Sequence, residues 1–122
     1  MRIAVCCPET AEARWICDKI VAMAAEMGRN ADAIPFRSEE ELWQSFAPGR
    51  FRGALVGYGD VRGFLCARRL REEDPACRVI LLDDTDRYAI RDFRIHLTDY
   101  LVRPLELTRL RGAVGRLFGE SG

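Results

Sequence analysis

Four carboxylates, one arginine and one thiol are the residues here whose types and positions could do chemistry: Glu9, Asp60, Asp83 and Asp84, with Arg103 and Cys7. Each lies at or just beyond the end of a short apolar run. Carboxylates gathered around a cation can hold a divalent metal or receive a phosphoryl group, here on Asp60. They can equally close on the arginine as an ion pair and leave the pocket unused. The ion pair is the reading adopted, because Asp60 sits past the end of its run and has no lysine partner. Cys7 beside Arg103 could be a thiol of lowered pKa, hence a redox sensor. Cys6 and Cys7 alternate to opposite faces of a strand, and packing is the reading adopted for both.

These residues can meet only if the apolar runs before them lie side by side. The central run is Gly53-Ala54-Leu55-Val56-Gly57-Tyr58, which follows the turn at Pro48-Gly49. A short, wholly apolar run bounded by Gly and Pro reads as a strand buried on both faces, which requires helices on both sides of a parallel sheet. Ligands of such sheets bind outside the carboxyl ends of the strands, here Gly57-Tyr58-Gly59-Asp60. Arg2-Ile3-Ala4-Val5-Cys6 reads as the first strand, with Thr10 as N-cap of a helix over 11–27. That helix has Trp15, Ile16, Ile20, Met23, Ala24 and Met27 as its core stripe and Gly28 as its stop. The run 31–36 is a second strand, at the sheet edge because Pro35 cannot donate to a ladder. Ser38-Glu39-Glu40-Glu41 is a capping box opening a short helix. A helix over 61–73 turns Phe64, Leu65 and Leu70 inward and ends at Asp74-Pro75. A strand at 78–82, a helix over 87–94, a strand at 98–102 and a last helix over 105–118 complete the chain. The last helix has Leu107, Leu110, Val114 and Leu117 inside. Strand and helix alternate five times, which predicts right-handed crossovers and a three-layer α/β/α sandwich.

The 122 residues suffice for one domain, 1–122, with a core of its own. The 19 basic and 19 acidic residues cancel, so there is no electrostatic case for nucleic-acid binding by this segment. Lys19 is the only lysine and lies mid-helix, which removes lysine chemistry from the carboxyl edge. No apolar run reaches membrane-spanning length. The five cysteines lack CxxC spacing and read as reduced, packed thiols of a cytoplasmic protein. His96 stands alone, so no zinc site is expected.

The arrangement resembles the receiver domain of two-component response regulators over nearly the whole chain. Met1 to Cys6 followed by Glu9 is similar to the family's opening strand and acidic loop. Asp86-Arg87-Tyr88-Ala89-Ile90 and Thr98-Asp99-Tyr100-Leu101-Val102-Arg103-Pro104 resemble the subgroup whose receivers precede LytTR-type DNA-binding domains. The resemblance implies a flavodoxin-like five-stranded parallel sheet in the order 2-1-3-4-5. It also implies an aspartyl acceptor ending strand three, magnesium held by it and an acidic pair, a hydroxyl after strand four and a lysine after strand five. Here the acceptor position falls on Gly57, the acidic pair on Cys7 and Pro8, the hydroxyl on Asp83 and the lysine on Arg103. Glycine offers no nucleophile, a thiol is a poor magnesium ligand, and Asp83 would repel a phosphoryl group.

The expectation is therefore a pseudo-receiver: a non-enzymatic signalling and transcription-regulating module that acts by protein–protein contact. It has no cofactor, no metal and no catalytic residue, and Cys7, Pro8, Glu9, Gly57, Asp60, Asp83 and Arg103 form a vestigial pocket. The alternatives are an active receiver phosphorylated on Asp60 with magnesium, and a small-molecule or redox sensor around Cys7, Gly57 and Arg103. The resemblance implies a dimer or partner face on the 87–94 helix, the fifth strand and the last helix, with Tyr88, Arg91, Asp99, Tyr100 and Arg111 on it and Tyr100 as switch aromatic. DNA would be contacted only through a further domain, and no membrane is involved.

Overall fold

The structure is a computed structural model that describes residues 1–89 and 95–119. The elements among the described residues run in the order β1 (Arg2–Cys6), α1 (Thr10–Glu26), β2 (Asp32–Phe36), α2 (Glu39–Ser45), β3 (Gly53–Val56), α3 (Val61–Glu73), β4 (Arg78–Asp83), β5 (Asp99–Val102) and α4 (Leu107–Leu117). The strands form one sheet in the order β2-β1-β3-β4-β5, and every pairing is parallel. The expected architecture is the observed one. Only residues 87–89 of the helix expected over 87–94 and residue Ile95 just after it bear on that element; Arg91 lies outside the described residues.

The alternation of side chains along each strand divides the core in two. Ile3, Val5 and Cys7 join Ile80 and Leu82 under α1 and α4. Ala4 and Cys6 join Val56, Val79 and Leu81 under α2 and α3. All five cysteines are free and buried, with Cys6 and Cys7 on opposite faces. Pro35 lies on the edge strand, level with Val5, where its missing N–H breaks no ladder. Gly28 ends α1 with φ 74°, the left-handed conformation glycine adopts freely.

Several local expectations are corrected. The cap of α1 is Glu9, not Thr10: its carboxylate accepts the Ala11 and Glu12 amides at 3.2 and 2.5 Å. A carboxylate there also meets the positive end of the helix dipole, which a hydroxyl does not. Trp15 is exposed beside the sheet-facing stripe Ala13, Ile16, Cys17 and Ile20, and the Lys19 ammonium stands 5.8 Å from its ring. Leu65 is exposed because the buried face of α3 is Gly63, Phe64, Cys66, Ala67 and Leu70. Leu107, the first residue of α4, is exposed, whereas Leu110, Val114 and Leu117 are buried. Ser38 does cap α2, but Glu41 returns its carboxylate to the Arg37 amide rather than to Ser38.

Gly53 shows how tightly β3 is enclosed. A Cβ there would stand 2.6 Å from Leu117 Cδ2 and 2.9 Å from the Arg78 carbonyl oxygen, and the latter cannot shift without moving β4. Gly53→Ala should cost about 1–3 kcal/mol of stability in urea denaturation. Gly112→Ala, whose Cβ meets nothing closer than 3.5 Å within α4, should instead stabilise by about 0.5–1 kcal/mol.

Candidate functional site

At the carboxyl edge of the sheet a cleft of about 320 Å³ is lined by Pro8, Glu9, Glu12, Gly57, Tyr58, Asp84 and Arg103. Its centre is the Arg103 guanidinium. The Arg103 amide extends the β4–β5 ladder by donating to the Asp83 carbonyl at 2.9 Å, which aims the side chain back over the sheet. Nε donates to Glu12 Oε2 at 2.9 Å and Nη2 to Glu12 Oε1 at 2.6 Å, a two-point grip across 91 residues of sequence. Nη1 donates to Asp84 Oδ1 and Nη2 to the Gly57 carbonyl, both at 2.9 Å. Charge-assisted, bidentate bonds of this kind are the strong ones.

The guanidinium crowds the point where a side chain on residue 57 would begin. A Cβ on Gly57 would stand 3.2 Å from Arg103 Nη2 and 3.2 Å from Leu82 Cδ2. Glu12, chiefly through its hydrogen bond to Arg103, is held below the usual glutamate range, although burial opposes this. Cys7 donates its thiol hydrogen to Glu12 Oε1 at 3.0 Å. Burial and then that bond push the Cys7 thiol up to about 12, so the lowered pKa needed for a redox sensor is not found.

The sequence-derived residues separate into three groups. Cys7, Pro8, Glu9, Gly57 and Arg103 do converge on the cleft, joined by Asp84. Asp60 instead caps α3 by accepting the Arg62 amide at 2.9 Å, and the Arg62 guanidinium at 2.8 Å holds its carboxyl below the ordinary range. Asp83 turns away: it is buried, 3.2 Å from Arg87 Nε and 3.2 Å from the Tyr100 hydroxyl. Neither Asp83 nor Glu9 pairs with Arg103, contrary to expectation; Glu12 and Asp84 do. Glu12 is the residue that sequence reasoning missed. Its only signal was its place in the first turn of α1, one turn after Glu9.

On the opposite flank, the Tyr100 hydroxyl shares its one proton between Asp83 at 3.2 Å and the Thr85 carbonyl at 2.9 Å, and accepts the Tyr88 amide at 3.2 Å. Tyr88 stacks on Phe64 at 4.9 Å between ring centres. Asp99 pairs with Arg109 at 3.4 Å and Arg116 at 2.5 Å. Arg111 pairs with Glu26 of α1, so it is not part of the β5 face to which the sequence assigned it.

The magnesium implied by the family resemblance does not fit these residues. Pro8 has no side-chain oxygen, Cys7 is a protonated donor, Gly57 supplies only a carbonyl that Arg103 occupies, and Glu12 and Asp84 are already neutralised. Among the described residues no three His, Cys, Asp or Glu side chains converge as metal ligands.

The depressed carboxyl of Glu12 sets a pH dependence. A group whose folded pKa is lowered stabilises fully above its unfolded value, about 4.3 for glutamate, and that contribution is lost as pH falls through the folded pKa. The stability difference between the parent chain and Glu12→Gln should therefore be largest above about pH 5 and shrink steadily in more acidic urea titrations. A difference independent of pH would show that Glu12 acts by shape alone.

No protein-family model and no curated protein matches the chain. Solved structures do. A response regulator from Thermotoga maritima superposes with a TM-score of 0.73 at 18% identity, covering 98% of each chain. DrrB, a Thermotoga maritima response regulator homologous to OmpR/PhoB, gives a TM-score of 0.71 at 22% identity over 96% of this chain. This chain spans about half of that protein, 52% of its length. A putative CpaE2 pilus assembly protein from Sinorhizobium meliloti gives a TM-score of 0.71 at 21% identity, covering 97% of this chain and all of that one. At such identities the likeness is one of architecture: the chain has the flavodoxin-like fold of response regulator receiver domains.

Proposed function

We propose that the chain is a pseudo-receiver, a signalling module of the response regulator type that works by protein–protein contact and not by aspartyl phosphotransfer. One observation carries the reading: the Arg103 guanidinium lies against the Gly57 backbone, 3.2 Å from where an acceptor side chain would begin, and is neutralised there by Glu12 and Asp84. The nearest substitute acceptor, Asp60, is tied to its own helix and to Arg62. The reading further assigns the module to the cytoplasm, which five free, buried cysteines favour. No helix among the described residues is long and apolar enough to cross a membrane. In the LytTR-like arrangement DNA would be met through a separate domain. The solved neighbours carry response regulator and pilus-assembly names, which agrees with a scaffold whose use varies.

The partner face in this reading is β5 with α4 and the segment 87–94. Val102 on β5 is 41% exposed and lines a shallow cleft with Tyr100, Leu105 and Arg109. Val102→Asp should abolish partner or self-association through this face in light scattering while leaving the fold intact; unchanged association would move the face elsewhere.

Acetyl phosphate with magnesium should leave the intact mass unchanged, and beryllofluoride with magnesium should leave the amide spectrum unshifted. A gain of one phosphoryl group that Asp60→Asn abolishes would overturn the reading in favour of an active receiver.

A further inference from the structure

The amino edge of the sheet carries charge that the carboxyl-edge cleft does not use. Arg2 opens β1, Arg52 immediately precedes β3 and Arg78 opens β4. The ladder joins them, with Arg2 level with Arg52 and Arg78 level with Gly53, one residue on: the Arg52 amide donates to the Arg2 carbonyl at 2.8 Å, and the Arg78 amide to the Arg52 carbonyl at 3.1 Å. Adjacent strands lie about 4.8 Å apart, so the three arginines form a row about 10 Å long. Arg52 Nε donates to the Leu117 carbonyl at 3.1 Å and Arg78 Nη1 to the Arg116 carbonyl at 2.8 Å, which caps the end of α4. Those acceptors carry no net charge, and each fork keeps further N–H groups. Among the described residues none of the three arginines has a carboxylate within ion-pair distance; Asp32, level with Arg2 on β2, is not paired with it.

The opposite edge is the complement. Glu40 and Asp86 are exposed there, and neither has a cation within ion-pair distance among the described residues. In a parallel sheet all strands start at one end and finish at the other. Unpaired arginine forks thus stand at the strand starts and unpaired carboxylates beyond the strand ends.

We propose that these two ends dock between copies: the arginines Arg2, Arg52 and Arg78 of one chain seat on the unpaired carboxylate end of the next, at Asp86. A chain with no net charge gains little long-range attraction to a nucleic acid or an anionic membrane, whereas unpaired charges of opposite sign at two ends attract a second copy end to end. Arginine forks suit carboxylates, which they grip with paired N–H groups. The contact joins two different surfaces, so it is head-to-tail and leaves one surface free at each end for further copies. It is separate from the β5 face and does not depend on the state of the Arg103 cleft.

The test is sedimentation equilibrium of the whole chain over a range of protein and salt concentrations. Screening lengths fall from about 30 Å at 0.01 M to about 3 Å at 1 M salt, so the average mass should exceed the monomer at low salt and return to it at high salt. Two charge-reversed chains sharpen this: Arg2→Glu with Arg52→Glu, and Asp86→Arg alone, the second touching no cap or ion pair. Each should self-associate at least about tenfold more weakly than the parent, because each reverses a charge in one of the two complementary ends. Mixed in equal amounts they should associate again, each supplying the end the other lacks. Val102→Asp should leave this salt-sensitive association unchanged, which separates it from the β5 face. A parent chain that stays monomeric at low salt, or an Asp86→Arg chain that associates as the parent does, overturns the proposal. A chain that binds heparin through the arginine row yet never self-associates also overturns it, in favour of a polyanion partner.

Discussion

The carboxyl edge depends on a single buried-side guanidinium. Arg103 reaches from the end of β5 across β4 to the end of β3, and its four hydrogen bonds join α1, β3 and the loop after β4. An exposed ion pair is worth about 0–1 kcal/mol, too little to organise anything. Here the side chains of Arg103 and Glu12 are only 23% and 26% exposed, the grip is bidentate, and a backbone carbonyl is satisfied in the same contact. Hydrogen bonds to charged groups in such settings contribute about 1.5–3 kcal/mol each. Without Arg103, Glu12 and Asp84 would face each other uncompensated, and the Gly57 carbonyl would lose its donor.

Neighbouring carboxylates are kept apart by strand geometry. Asp83 ends β4 and Asp84 follows it, so their side chains leave in opposite directions. Asp84 meets Arg103, while Asp83 is buried against Arg87 and the Tyr100 hydroxyl. Two acids that look equivalent in sequence thus serve two separate jobs, one closing the cleft and one fastening the loop 84–88 to β5. Tyr100 joins that second arrangement through three hydrogen bonds, and burial pushes its hydroxyl up to about 12, so at neutral pH it remains a donor.

The sheet was legible because its strands are apolar on both faces and end at Gly and Pro, and because Pro35 can sit only at an edge. Burial around each helix was less so. Periodicity gives the direction of the buried stripe but not its width, which is why Trp15, Leu65 and Leu107 were assigned to a core that excludes them. The choice between Glu9 and Thr10 as cap turned on the helix dipole, to which a residue-type rule is blind. The partners of Arg103 were the least legible: a contact across 91 residues has no local signature, and Glu12 differs from other helix-facing glutamates only in where its turn lands. What could be read was the negative fact that Gly57 carries no side chain, and the structure adds what stands against it.

The central claim is that Arg103 has replaced the cation this edge would otherwise need. Magnesium titration followed by amide shifts of Cys7 and of residues 9–12, 57–60 and 84 tests it most directly. The account expects no saturable shift in the parent chain, because Glu12 and Asp84 are already neutralised. A saturable shift centred on those amides and removed by Glu12→Gln would contradict it.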